Sequence, residues 1–241
     1  MLHLDLCTGI GGFHIAAQWA GFETVGFSEI EPYCCKLLAG KWPEIKNYGD
    51  LRTANFSEFR SRITVLSAGV PCQPSSVAGK RRGKEDDRWL WEAVLDVVQS
   101  VEPAWCIFEN PPGILSLDEF RPILLRLESL KYEIRGFDVP ANAVGADTEG
   151  YRVFIVAASM CAGLSPSGLQ ERHGETFTAA GRPVPKHVWL PTDPRVYGSF
   201  DGLPHRSHRL KALGNAVVPQ QCFPFFRAIA DTIRGGIYAQ G

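Results

Sequence analysis

Residues Leu2–Ala20 read LHLDLCTGIGGFHIAAQWA. A short apolar run, Leu2–Leu6, leads into a turn with glycines at 9, 11 and 12, then into a segment with helical apolar spacing. Strand, glycine turn and helix in that order open a β-α unit. The alternation continues. TVGFSEI (24–30), ITVLSAG (63–69), AWCIFEN (104–110), YEIRGFDV (132–139) and YRVFIVAAS (151–159) read as strands. EPYCCKLLAGKW, WLWEAVLDVVQSV and DEFRPILLRLESL read as helices. This order predicts an α/β fold, a doubly wound Rossmann-like sheet with its ligands at the carboxyl ends of the strands.

The pattern breaks after Ser159. We expect three parts: a catalytic and cofactor-binding domain over 1–159, a short irregular lobe over 160–204, rich in Gly, Pro, Ser and Thr, and a C-terminal segment over 205–241 that returns to the first part. The 241 residues are 45% hydrophobic, enough for one substantial core with a small lobe. The formal net charge is -1, so a nucleic-acid partner would have to be held by local patches rather than a global basic field. The start, MLHLDLCTG, has no basic region before a long apolar stretch, and the expectation is a cytoplasmic protein without a membrane partner. Seven cysteines with no C-x-x-C pair argue for reduced thiols and no metal.

The glycine turn at 9, 11 and 12 permits close backbone approach to a ligand, though alone it serves packing just as well. Glu29 sharpens it, because a carboxylate at the end of the second strand can accept hydrogen bonds from ribose hydroxyls. Asp50, in YGDLR, could receive an adenine amino group. The turn lacks a full G-x-G-x-x-G, which disfavours a pyrophosphate and favours a nucleoside cofactor without phosphates.

Cys72 lies in GVPCQPSS (69–76), just past an apolar strand, with Pro71 and Pro74 fixing φ on either side. At the carboxyl edge of a sheet its thiolate would be favoured. The stretch that follows, SSVAGKRRGKEDDR, pairs glycine pivots with Lys80, Arg81 and Arg82, the make-up of a lid over an anionic substrate. FENPPG (108–113) delivers Glu109 beside an apolar strand, where a carboxylic acid can be held protonated and donate. Arg152, at the entrance of the last strand, can contact a phosphate or a polarised carbonyl.

These stretches, together with EDDRWLW and LGNAVVP (213–219), occur in the order found in the DNA cytosine-5 methyltransferases, which the chain resembles outside 160–204. Its wording is most similar to that of compact phage or prophage enzymes. The resemblance implies an S-adenosylmethionine-dependent methyltransferase sheet with a small target-recognition lobe. It implies double-stranded DNA as partner, with the target cytosine flipped out of the duplex. Cys72 would attack C6, Glu109 would hydrogen-bond the exocyclic amine and protonate N3, and Arg152 would contact the O2 side. Cofactor contacts are implied at Gly9, Gly11, Gly12, Phe13, Glu29, Ile30, Asp50, Leu90, Asn215 and Ala216. Asn110 is implied to hold the catalytic loop. DNA contacts are expected from Ser76, Lys80, Arg81, Arg82, Arg172 and Lys186, in a monomer near the nucleoid, with a cognate restriction enzyme left open.

The chain departs from the family where it has Cys7 and Ser75 in place of aromatic residues. It also has Thr148 and Gly150 where the family often has Gln and Arg ahead of Arg152. The short lobe implies a recognition sequence of roughly two to four base pairs. Two readings stay open beside DNA methylation: the same chemistry on RNA, and a binding module with weak catalysis. A nucleotide-dependent oxidoreductase fits less well, because the glycine spacing is wrong and Cys72 would have no task.

Overall fold

In a computed structural model, Leu2–Leu6 forms β1 and pairs in parallel on both sides, with β2 (Glu23–Ser28) and with β3 (Val65–Gly69). The described residues are 1–71, 88–116, 120–144, 150–162, 164 and 216–238. The helices among them are α1 (Gly12–Trp19), α2 (Pro32–Lys41), α3 (Arg88–Val101), α4 (Phe120–Ser129) and α5 (Pro219–Tyr238). The remaining strands are β4 (Trp105–Asn110), β5 (Tyr132–Pro140) and β6 (Tyr151–Ser159). The sheet order is β2-β1-β3-β4-β6-β5.

The chain moves outward from β1 to β2, then crosses to β3 on the other side of β1. Strand order therefore reverses between β1 and β3, and the carboxyl ends at such a reversal are where open α/β sheets bind their ligands. β4 continues the parallel part. β6 then runs antiparallel to both β4 and β5, inserted between them. The doubly wound expectation holds for the first four strands, and the far edge is mixed. Between β5 and β6 the described residues hold a short 3-10 turn, Ala141–Val144, and the chain returns antiparallel, since a parallel return needs a long crossover. The consequence is functional: β6 presents its first residues where β4 presents its last.

Side chains alternate along each strand and so build two cores. Leu4 and Leu6, Leu66 and Ala68, Cys106 and Phe108, and Val153 and Ile155 face α3 and α4 through Val94, Leu95, Val98, Ile123 and Leu127. On the opposite face Val65, Trp105, Ile107, Phe154 and Val156 pack against Phe13 and Ala17 of α1 and Phe225, Phe226 and Ile229 of α5. Each fully buried large apolar side chain contributes about 1.5–3 kcal/mol relative to exposure. Among the described residues no helix is long and apolar enough to cross a membrane.

The reading of LHLDL as a plain apolar strand needs correction. His3 and Asp5 alternate with the leucines and are fully buried on the α1/α5 face. Ser67 Oγ donates to Asp5 Oδ1 at 2.5 Å and meets His3 Nε2 at 2.8 Å. Thr24 Oγ1 lies 2.8 Å from His3 Nδ1 and 2.9 Å from His14 Nδ1. A hydrogen-bonded chain thus ties β1, β2, β3 and α1 beneath the glycine turn. Burial makes ionisation costly there. The His3 and His14 pKa values fall to about 3 and about 4, while Asp5 rises to about 8.

Candidate active site

The glycine turn follows β1 and enters α1. Gly11 has φ +92, the left-handed region that glycine tolerates without cost, and a Cβ there would strike the Trp42 ring. Gly12 is pressed so closely against the Val217 carbonyl that no larger residue fits. The turn is therefore backed by the segment that carries Ala216 and leads into α5. Phe13, expected near the cofactor, is 2% exposed and packs edge-on against Phe226. Leu90 packs against the same core as Cys7.

Glu29 stands just past β2 and reaches back to the turn. Its Oε2 accepts from Gly9 N at 2.6 Å, and its Oε1 accepts from Ile30 N at 2.9 Å and Glu31 N at 2.7 Å. A carboxylate offers about four lone-pair directions, so one remains for a ligand hydroxyl. Ile30 beside it is 60% exposed, an apolar side chain left open at the strand end. Asp50 is gripped by Arg52, whose Nη2 approaches Oδ2 at 2.7 Å, and this ion pair pulls its pKa down.

Glu109 ends the row Trp105, Ile107, Glu109 on the α1/α5 face of β4. It lies opposite Gly69 of β3 and Phe154 of β6. It is 6% exposed, and Arg152 Nε meets its Oε1 at 2.7 Å. Burial raises its pKa to about 7 against the opposing pull of Arg152. An acid so placed holds a proton near neutrality and can pass it to a base at the carboxyl end of the sheet. Asn110 points to the other face, and its Nδ2 donates to Val70 O at 2.7 Å. The end of β4 thus holds the backbone that leaves β3 toward residue 72. Burial pushes the thiols of Cys7, Cys35, Cys106 and Cys222 up, away from the reactive thiolate. Among the described residues no group of three or more His, Cys, Asp or Glu could hold a metal ion.

The structure therefore brings together Gly9 with Glu29, Gly12 with the 216–218 segment, Glu109 with Arg152, and Asn110 with the exit of β3. Cys72, Ser75, Ser76, Lys80, Arg81, Arg82, Thr148, Arg172, Lys186 and Asn215 lie outside the described residues. Sequence reasoning singled out Asn215 and Ala216 of LGNAVVP but not Val217, whose carbonyl meets Gly12, and it missed Gln221, whose partners are backbone carbonyls.

The profile described as C-5 cytosine-specific DNA methylase matches residues 1–180. The chain belongs to that family. Its relatives include the Type II methyltransferase M.HpaII of Haemophilus parainfluenzae, 29% identical over 224 residues, covering 88% of this chain and 61% of the relative. The Type II methylase M.HgiEI of Herpetosiphon aurantiacus is 36% identical over 217 residues, 87% of this chain and 45% of the relative. Among solved structures, a DNA modification methyltransferase encoded within an Escherichia coli prophage aligns with a TM-score of 0.59 at 22% identity, over 70% of this chain and 50% of that one. The S. pombe Dnmt2 methyltransferase aligns at 0.57 and 20%, over 66% of this chain and 51% of that one. These two likenesses show the fold. The methylase-family chain spans at most 61% of the length of the curated relatives named here.

Proposed function

We propose that the chain transfers a methyl group to C5 of cytosine in DNA. The observation that carries this reading is the ion pair between buried Glu109 and half-buried Arg152. It is set at the open end of the sheet, beside the strand exit from which Val70 and Pro71 lead to Cys72. Family membership supplies the reaction class, and this pair supplies an acid and a cation where a cytosine ring would need them.

Cys72 is the nucleophile of the reading: its thiolate adds to C6 of a flipped-out base. Glu109 donates its proton to N3 and accepts a hydrogen bond from the exocyclic amine, so that C5 becomes electron-rich. Arg152 holds the Glu109 carboxyl in place and turns its remaining N–H groups toward O2. After methylation the C5 proton leaves to solvent, the C6–S bond breaks so that the thiolate returns, and N3 gives its proton back to Glu109. Ser76, Lys80, Arg81 and Arg82 grip the DNA backbone, with Arg172 and Lys186 reaching it from 160–204.

S-adenosylmethionine fits the cradle beside β1 and β2. A Cβ at Gly9 would meet no atom within 4 Å, so the turn leaves room for a ligand. Glu29 keeps a free acceptor direction, and Ile30 offers an exposed apolar surface to a purine. Gly9, Gly11, Gly12, Phe13, Glu29, Ile30, Asp50, Leu90, Asn215 and Ala216 would hold the cofactor, which when bound supplies the methyl group that C5 receives.

The full chain incubated with tritiated S-adenosylmethionine and either duplex DNA or RNA tests the reading. Label is expected in DNA, and label confined to RNA overturns it. DNA carrying 5-fluorocytosine should trap wild type as a covalent adduct. No adduct would make the chain a binding module.

A further inference from the structure

The strand that carries Arg152 begins at Tyr151, and something must fix where it begins. Gln221, in the first turn of α5, is 1% exposed. Its Nε2 donates to Val139 O at 2.7 Å and to Gly150 O at 2.9 Å, so both amide protons are used. Gly150 O also accepts from Ala141 N at 3.1 Å. Val139 is the register partner of Arg152 in the β5–β6 ladder. One carboxamide therefore draws together the end of β5 and the residue that precedes β6. Arg152 follows Gly150 by two residues. Its Nη1 donates to Tyr151 O at 2.9 Å while its Nε meets Glu109 at 2.7 Å. The guanidinium is braced on backbone that Gln221 staples.

We propose that Gln221 is a positioning residue for the Glu109–Arg152 pair, acting from α5 through the Gly150 carbonyl. The proposal rests on the function proposed above, and it accounts for how the Glu109–Arg152 pair is kept in register although residue 150 is a glycine with no side chain of its own. Among the described residues, the titratable groups facing Glu109 are Arg152 from β6 and the protonated thiol of Cys222 from α5. Cys222 follows Gln221 in α5, but it sends its Sγ to Pro219 O at 3.4 Å, so it offers Glu109 no competing donor.

The test is Gln221→Met, which keeps the volume and removes both donors, with Gln221→Asn as a second variant that keeps the amide one methylene short. Two readings are taken on the full chain: steady-state methylation of duplex DNA, and the 13C NMR titration of the Glu109 carboxyl in glutamate-labelled protein. Both variants should lower kcat on the order of 10- to 100-fold with KM for DNA little changed, as expected for misplaced reacting groups. The Glu109 titration should move upward by about one pH unit, because a loosened Arg152 favours the carboxylate less. An unmoved titration with unchanged kcat, accompanied only by a lower Tm, overturns the proposal. A moved titration in a chain whose wild type methylates nothing upholds the coupling and overturns the function instead.

Discussion

Glu109 owes its acidity to two opposed neighbours. Burial favours the neutral acid, and Arg152 favours the carboxylate; burial wins, leaving a group that titrates near neutrality. If this acid protonates the base, kcat/KM for DNA should fall as pH rises through about 7. Glu109→Gln should still bind DNA, lose that alkaline limb, and slow turnover on the order of 10²–10⁴-fold. A rate profile retaining the same limb in the variant would remove Glu109 from proton transfer. Cys72→Ser should bind DNA and abolish turnover, read as loss of the 5-fluorocytosine adduct; adduct formation by the serine variant would assign the nucleophile elsewhere. The place of Glu109 at a strand end was legible from sequence because an apolar run leads straight into Phe-Glu-Asn. Gln221 was not, since its partners are 82 and 71 residues away and are plain carbonyls.

At the scale of elements, the start of α1 and the segment that enters α5 meet closely at Gly12 and Val217. Gly12→Ala would drive a methyl group into the Val217 carbonyl, and the helix start and the 216–218 segment would have to part. The expected cost is about 1–3 kcal/mol, measured by urea denaturation, with a weaker grip on S-adenosylmethionine because the turn itself moves. Unchanged stability would mean that the segment yields freely. The glycine turn announced itself by its three glycines, and strand and helix identities followed from apolar periodicity. The insertion of β6 between β4 and β5 did not, because strand order is decided by connections and packing that no local pattern records. LHLDL misled for a related reason: apolar alternation was visible, but whether His3 and Asp5 meet water or a neighbouring strand depends on what covers that face.

For the molecule as a whole, the buried titratable groups set how stability varies with pH. His3 and His14 have pKa values lowered to about 3 and about 4, so the unfolded chain takes up their protons first, and both lose stability as pH falls below about 6.5. Asp5 and Glu109 are raised to about 8 and about 7, so the unfolded chain releases their protons first, and they lose stability as pH rises from about 4. The two trends oppose one another between about pH 4.5 and 6.5 and leave a plateau. Above 6.5 only the acids still differ between the states, and stability should fall by on the order of 1 kcal/mol per pH unit up to about 8. Denaturation midpoints across this range check it. Asp5→Asn should flatten the part above pH 7, because an amide keeps Ser67 bonded without a proton to lose; a slope unaltered by that change would place its origin elsewhere.

The covering of the α1/α5 face also has a consequence for how the protein comes into being. A ribosome delivers α5 after all six strands. Until it emerges, the apolar row of Val65, Trp105, Ile107 and Phe154 has α1 beside it but lacks the helix that completes its cover. The sheet can be sealed on its α3/α4 side while the other side is still open to chaperones or to a second nascent copy. Birth therefore orders assembly: the acid, its arginine and the glycine turn are all synthesised before the helix that packs over that face of the sheet.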